Sequence, residues 1–396
     1  MSLNAQVSAE RVHIGFFGRR NAGKSSVVNA VTGQELAVVS DVKGTTTDPV
    51  KKSMELLPLG PVVIIDTPGI DDEGELGLKR VGKTRQVLNK ADLAVLVVDA
   101  VEGISSWEEE MIRLFEKKEI PYLVVYNKMD LLTGKSEQEP VVEHTAYVSA
   151  RTREGIQQLK EKMARLTSQE TDEKRLAADL VKPFDTVILV VPIDKAAPKG
   201  RLILPQVQTL RELLDKKCLV MSVTTDQLIP ALAVLKKAPK LIITDSQVFG
   251  YVYENKPAES MLTSFSVLFA AYKGDLPYYV EGAEHIDALN AHSRILIAEC
   301  CTHAPLKEDI GREKIPRMLR KRFGESLAVD IVSGTDFPKD LSGYDLIIQC
   351  GACMFNRKYV MSRIGHAREQ GVPMTNYGVT IAHLTGILDK ISMPET

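Results

Sequence analysis

The strongest constraint on this chain is Gly18-Arg19-Arg20-Asn21-Ala22-Gly23-Lys24-Ser25, a complete Gly-x-x-x-x-Gly-Lys-Ser loop. It follows the apolar run Val12-His13-Ile14-Gly15-Phe16-Phe17 and precedes the amphipathic run Ser25-Ser26-Val27-Val28-Asn29-Ala30-Val31. Strand, loop and helix in that order are the setting in which this spacing cradles phosphates. Around Gly18, Ala22 and Gly23 the backbone N–H groups can close on an anion, and the helix N-terminus at Lys24, Ser25 and Ser26 adds partial positive charge. Lys24 is placed to reach the β- and γ-phosphates, and the Ser25 hydroxyl to ligate Mg²⁺.

Three further motifs follow in order. Asp66-Thr67-Pro68-Gly69 comes after Pro61-Val62-Val63-Ile64-Ile65. The Asp66 carboxylate, at the end of a buried strand, falls beside the Mg²⁺ shell, and the Gly69 N–H can approach the γ-phosphate. Asn127-Lys128-Met129-Asp130 follows Tyr122-Leu123-Val124-Val125-Tyr126. Asp130 offers two acceptors to the N1–H and 2-amino group of guanine, a donor pair that adenine lacks, while Asn127 and Lys128 brace the loop and base. Ser149-Ala150, after Ala146-Tyr147-Val148, can present a backbone N–H to the guanine O6.

Together these motifs resemble those of the translation-factor-related small GTPases, roughly over residues 10–165. The resemblance implies GTP and GDP as ligands and Lys24, Thr46 and Gly69 at the reacting end. Gly44-Thr45-Thr46-Thr47-Asp48 then looks like the first switch, with Thr46 as the second Mg²⁺-ligating hydroxyl and Thr45 its competitor. In that group an Asn at the position of Asn21 accompanies a K⁺ ion beside the phosphates. Such an ion stands where other GTPases use an arginine finger, an element worth about 10³–10⁵ in rate. The position that often carries a water-orienting Gln is Ile70 here, so hydrolysis is expected to be slow unless K⁺ or another group compensates.

At 396 residues the chain exceeds one GTPase domain, which predicts two or three domains. The reading is α/β: a P-loop GTP-binding domain over 1–167, a linker over 168–184, a small α/β module over 185–260 and a further α/β domain over 261–396, the sheets mainly parallel. In the middle module Thr186–Val191, Cys218–Val223 and Leu241–Thr244 read as strands, and Leu204–Lys216 and Asp226–Ala238 as helices, with Asp226 as a cap. It carries no catalytic cluster and is nominated for self-association, giving a homodimer or higher homo-oligomer. A net charge of −2 argues against a dedicated nucleic-acid binder, and Arg317-Met318-Leu319-Arg320-Lys321-Arg322 reads as a solvated helix face. No apolar run approaches the ~20 residues that span a bilayer, and no leader pattern is present. The expectation is a cytoplasmic protein without membrane or nucleic-acid partners.

Of five cysteines, four fall where two strands end. Ser293–Ala298 leads into Glu299-Cys300-Cys301-Thr302-His303, and Tyr344–Ile348 into Gln349-Cys350-Gly351-Ala352-Cys353. Ligands in open α/β sheets gather at such ends. Cys301, Cys350 and Cys353 with His303 suit tetrahedral zinc. The three thiolates equally suit a [4Fe–4S] cluster with a labile corner, and unliganded core cysteines are the plain alternative. A GTPase switch carrying a structural zinc domain and a ribosome- or tRNA-associated GTPase are therefore the rival readings. Cys218 reads as a core residue.

The whole order of modules, ending in Cys-x-His and a distant Cys-x-x-Cys, resembles the [FeFe]-hydrogenase maturation GTPases. Their pattern is Cys-x-His followed by His-Cys-x-x-Cys. Here Gln349 replaces the second histidine, and Cys300 lies outside the pattern. The resemblance implies that Cys301, Cys350 and Cys353 hold a [4Fe–4S] cluster with an exchangeable fourth position, His303 being a ligand or its neighbour. It also implies that the chain carries a transient diiron precursor with CO and CN⁻ ligands, built with radical-SAM maturases and passed to apo [FeFe]-hydrogenase. GTP acts as a switch in that scheme, ordering Thr45–Asp48 and Gly69–Asp72.

Overall fold

The structure, a computed structural model, describes residues 11–34, 50–67, 84, 86–132, 144–169, 175–192, 202–300, 309–352 and 355–394. The chain forms two compact units, Met1–Asp172 and Glu173–Thr396. Thr46, Gly69, Cys301, His303 and Cys353 lie outside the described residues. Among the described residues no helix is long and apolar enough to cross a membrane.

The first unit is built on six strands: β1 Val12–Gly18, β2 Val50–Leu56, β3 Gly60–Asp66, β4 Leu93–Asp99, β5 Tyr122–Asn127 and β6 Thr145–Tyr147. Their order is β2-β3-β1-β4-β5-β6, parallel except for the antiparallel edge pair β2–β3. Because side chains alternate along a strand, the continuous apolar runs feed two cores. Phe16, Val95 and Val97 enter the core on one face, while Phe17, Leu96 and Val98 enter the core on the other. Helices α1 Lys24–Thr32, α2 Ser106–Lys117 and α3 Ile156–Gln169 accompany the sheet. Ser105 caps α2 in a capping box with Glu108, satisfying N–H groups that the first turn leaves open.

The second unit holds two four-stranded sheets, all of whose pairs are parallel. In the first, β7 Thr186–Val190, β8 Leu219–Val223, β9 Leu241–Thr244 and β10 Met261–Ser264 lie in the order β10-β9-β7-β8. In the second, β11 Arg294–Ala298, β12 Ala328–Val332, β13 Leu346–Gln349 and β14 Met374–Asn376 lie in the order β12-β11-β13-β14. One apolar cluster runs through both, joining Ile188, Val190 and Ile242 to Ile295, Leu296 and Ile347. The helices of this unit are α4 Leu204–Asp215, α5 Leu228–Val234, α6 Phe249–Asn255, α7 Phe265–Lys273, α8 Leu276–Glu284, α9 Ile315–Phe323, α10 Arg357–Glu369 and α11 Tyr377–Leu384.

The structure differs from the sequence reading at three places. Leu176, Ala177 and Val181, assigned to a linker over 168–184, are buried in the core beneath β7 and β9. Glu212 fixes them there by accepting the Leu176 and Ala177 N–H groups at 2.8 and 3.0 Å. The middle sheet does not stop at residue 260, since β10 begins at Met261 and pairs with β9. The helix expected over Asp226–Ala238 is the short α5, because Leu235 turns extended (φ −83°, ψ 135°). Asp226 is not its cap. It lies in the preceding 3-10 turn, Thr225–Gln227, which Thr224 opens.

Candidate functional site

The phosphate loop runs from the end of β1 into α1. Asn21 (φ 62°) and Gly23 (φ 82°) are left-handed, a conformation that glycine adopts freely and asparagine tolerates. Gly18 has no room for a side chain: a Cβ there would stand 2.6 Å from the Val97 carbonyl oxygen. Lys24 is 7% exposed, and its Nζ donates to Asp66 Oδ1. The loop lysine and the carboxylate at the end of β3 therefore face one another directly. Thr67 locks that strand end to β1 by donating from Oγ1 to the Phe16 carbonyl at 2.6 Å. Arg19 of the loop donates to Glu108 Oε1 at 2.7 Å and to Glu102 Oε2 at 3.0 Å.

The base side is one hydrogen-bonded unit. Asn127 is buried. Its Nδ2 donates to the Ala22 carbonyl at 3.1 Å, and its Oδ1 accepts the Ala150 N–H at 3.0 Å. It thereby ties the phosphate loop to the Ser149-Ala150 turn. Ser149 Oγ donates to Asp130 Oδ1 at 2.7 Å and accepts the Thr152 N–H at 3.0 Å, which leaves Asp130 Oδ2 as a further acceptor. Lys128 sits at φ 70°, a left-handed position that costs a non-glycine residue about 1–3 kcal/mol. Its Nζ reaches Asp99 Oδ2 at 2.6 Å. Burial alone would raise the Asp99 carboxyl pKa, but the Lys128 ammonium and the Val101 N–H overcome it and hold the carboxyl below its usual range. Asp99 and Glu108 lie outside the motifs, and Arg19 and Thr67 occupy variable positions within them, although Asp99 does end an apolar run as Asp66 does.

The cysteines sit at a different edge. β11 and β13 are neighbours, with Ala298 opposite Gln349, and the chain leaves β11 towards β12 on one side and returns to β13 on the other. Their carboxyl ends thus flank a topological switch point, where open sheets bind ligands. Cys300 is buried and Cys350 half-buried. The Cys300 N–H donates to Cys350 Sγ at 3.1 Å, and Gln349 Nε2 donates to Cys300 Sγ at 3.0 Å. Gln349 is itself buried, so its amide faces sulfur and not solvent. Lys273 Nζ donates to the Phe355 carbonyl at 2.9 Å and lies 3.5 Å from that of Ala352, gripping the backbone on both sides of Cys353. Among the described residues no three His, Cys, Asp or Glu side chains come together to hold a metal. What the described strand ends offer is two sulfurs with N–H donors beside them, the kind of bond that the sulfurs of an iron–sulfur group accept.

A strand-ending phosphate loop, a facing carboxylate and an Asn-Lys-x-Asp turn on a largely parallel sheet define a P-loop GTPase. A family model described as "50S ribosome-binding GTPase" matches residues 13–128. The models for the hydrogen maturase F dimerization and tetramerization domains match residues 176–274 and 277–394 and together span more than half the chain. The chain belongs to the hydrogen maturase F family, and its first unit is a GTPase domain. It is 36% identical over 161 residues to a tRNA modification GTPase, MnmE, of Chromobacterium violaceum, a match covering 39% of this chain and 34% of the relative. It is 36% identical over 168 residues to GTPase Der of Wolinella succinogenes, covering 39% of this chain and 36% of the relative. The chain thus spans about a third of the length of these curated relatives. Among solved structures it is similar to Era in complex with MgGDPNP and a 16S ribosomal RNA segment, at 19% identity and a TM-score of 0.35, over 54% of this chain and 92% of that one.

Proposed function

We propose that the chain carries a [4Fe–4S] cluster on Cys301, Cys350 and Cys353, holds a diiron precursor beside it and passes that cargo to apo [FeFe]-hydrogenase. The observation that carries this reading is the seating of Cys350 just past the carboxyl end of β13, beside the neighbouring strand β11 that leads on to Cys301, with the Cys300 N–H donating to its sulfur. The bound cluster supplies an iron with an exchangeable position. This chain's own residues supply thiolates, hold the Ala352 and Phe355 carbonyls through Lys273 and direct the Gln349 amide at sulfur. His303 stands as a ligand or its neighbour, and the two radical-SAM maturases that build the cargo are the proposed partners. After anaerobic reconstitution, iron and acid-labile sulfide are expected in equal amounts on the protein. Stoichiometric zinc in their place supports the rival GTPase switch with a zinc domain.

At the nucleotide, Lys24 holds the β- and γ-phosphates, Ser25 and Thr46 ligate Mg²⁺, and Asp66 borders that shell. Gly18, Ala22, Gly23 and Ser26 line the phosphates, and Gly69 meets the γ-phosphate. Asp130 reads the guanine edge, with Asn127, Lys128, Ser149 and Ala150 around the base. With Ile70 in place of a water-orienting Gln, turnover leans on K⁺ at Asn21, which supplies the charge that an arginine finger gives other GTPases. Exchange of KCl for NaCl is therefore expected to lower kcat at least tenfold. An equal rate in both salts removes the K⁺ assignment.

The middle module is the proposed homodimer face. β8 is the outer strand of its sheet and leaves Leu219 58% exposed, with Leu214 and Val234 also open. An apolar edge strand invites pairing. Leu219→Lys is expected to lower the molar mass seen by light scattering to a smaller species while GTP turnover persists. An unchanged mass places the interface elsewhere.

A further inference from the structure

Arg363 shares α10 with Arg357, Lys358 and Arg368, but the fold buries it. It is 2% exposed, in the middle of α10 beneath the cysteine-bearing strand ends. Its Nη1 donates to Gln349 Oε1 at 3.0 Å and lies 3.8 Å from Cys300 Sγ, and its Nη2 donates to the Gly334 carbonyl at 2.6 Å. The guanidinium stands 4.9 Å from the ring centre of Phe337, 5.3 Å from that of Phe355 and 5.1 Å from that of Tyr359. Among the described residues no carboxylate pairs with it, and its Nε is buried with no hydrogen-bond partner.

A buried guanidinium is costly to keep without an opposing charge. Three aromatic faces offset part of that cost, but aromatic faces do not neutralise. The donors around it share one direction. Arg363 holds Gln349 by its oxygen, Gln349 turns its amide nitrogen to Cys300 Sγ at 3.0 Å with Cys350 Sγ at 3.9 Å, and the Cys300 N–H meets Cys350 Sγ. The arrangement supplies positive charge to sulfur at the switch point of the sheet.

We propose that Arg363 is the built-in counter-charge for an anionic metal–thiolate group seated at Cys350, positioned through Gln349 and Cys300. This rests on the cluster reading above and adds a consequence. Three thiolates around a [4Fe–4S] core give a net negative group, and adding one electron makes it more negative. A fixed cation favours the reduced form over the oxidised one and so raises the reduction potential. Hydrogen bonds to the sulfurs act in the same sense.

The test is an EPR-monitored redox titration of the full-length reconstituted protein as wild type, Arg363→Met, Arg363→Gln, Arg363→Lys and Gln349→Leu. Iron content and GTP turnover are measured alongside as controls for folding. Arg363→Met is expected to bind iron but to shift the reduced-to-oxidised ratio at fixed potential at least tenfold towards oxidised, which is 59 mV for one electron. Arg363→Lys, which keeps charge without the fork, is expected to shift less. Gln349→Leu, which cuts the link from Arg363 to the sulfurs and keeps the charge, is expected to shift in the same direction by less, and Arg363→Gln, neutral but polar, decides the matter if Arg363→Met does not fold. Wild-type potential in the folded variants overturns this inference and leaves the cluster reading standing. Failure of the wild type itself to take up a cluster overturns both.

Discussion

Lys24→Ala is expected to cut GTP turnover roughly 10²–10³-fold, the loss that follows removal of one fixed charge-stabilising group at a reacting centre. The side chain is buried, and its ammonium faces the Asp66 carboxylate. Removing it takes away the cation at the β- and γ-phosphates and leaves Asp66 uncompensated beside them, so binding and turnover both fall. The nucleotide motifs lie in the unit Met1–Asp172 and the cysteine-bearing strands in Glu173–Thr396. Cluster absorbance after reconstitution should therefore equal that of the wild type. Loss of turnover and of absorbance together would contradict separable sites.

Asp130→Asn is expected to exchange the base preferred. Xanthine carries a carbonyl where guanine carries its 2-amino group. A carboxylate meets two donors, whereas an amide meets one donor and one acceptor. Ser149 Oγ already donates to Asp130 Oδ1, and the asparagine oxygen can accept the same bond, so the loop has no reason to collapse. A site built around a polar pair rejects the mismatched analogue by about 10⁴–10⁵. The ratio of kcat/KM for GTP over XTP should fall on the order of 10⁴. A ratio that does not move would mean that another residue reads the base.

Much of the fold was legible because the strands that matter are continuous apolar runs. β1, β5, β7, β11 and β13 are buried strands of parallel pairs, and such strands lack the polar alternation that blurs others. β2 was not legible. Val50-Lys51-Lys52-Ser53-Met54-Glu55-Leu56 is an edge strand with charged, solvent-facing positions, and it owes its place to antiparallel pairing with β3. The linker reading of 168–184 failed in its second half because the Leu176 and Ala177 N–H groups are held by Glu212, more than thirty residues away.

The sites divide in the same way. The phosphate-loop and Asn-Lys-x-Asp residues announce themselves by spacing, since the ligand fixes their separation along the chain. The residues that support them do not. Asp99 braces Lys128 across strands, and Glu108 joins Arg19 to the start of α2. These are tertiary contacts with no local pattern. Cys300 and Cys350 were visible as strand ends, but that their strands are neighbours is a fact of topology. Arg363 is the sharpest case, because an arginine flanked by Arg357 and Arg368 in sequence reads as surface until the sheet above it is in place.

The central claim is that this GTPase carries an iron–sulfur cluster on three cysteines, and one measurement bears on it most directly. The protein is reconstituted anaerobically with iron and sulfide, reduced with dithionite and examined by EPR, together with a Cys301→Ala, Cys350→Ala, Cys353→Ala triple variant. The account predicts an S = 1/2 signal of the [4Fe–4S]⁺ type in the wild type and its loss in the variant, with GTP turnover equal in both. A wild type without that signal, or a triple variant that keeps it, contradicts the account.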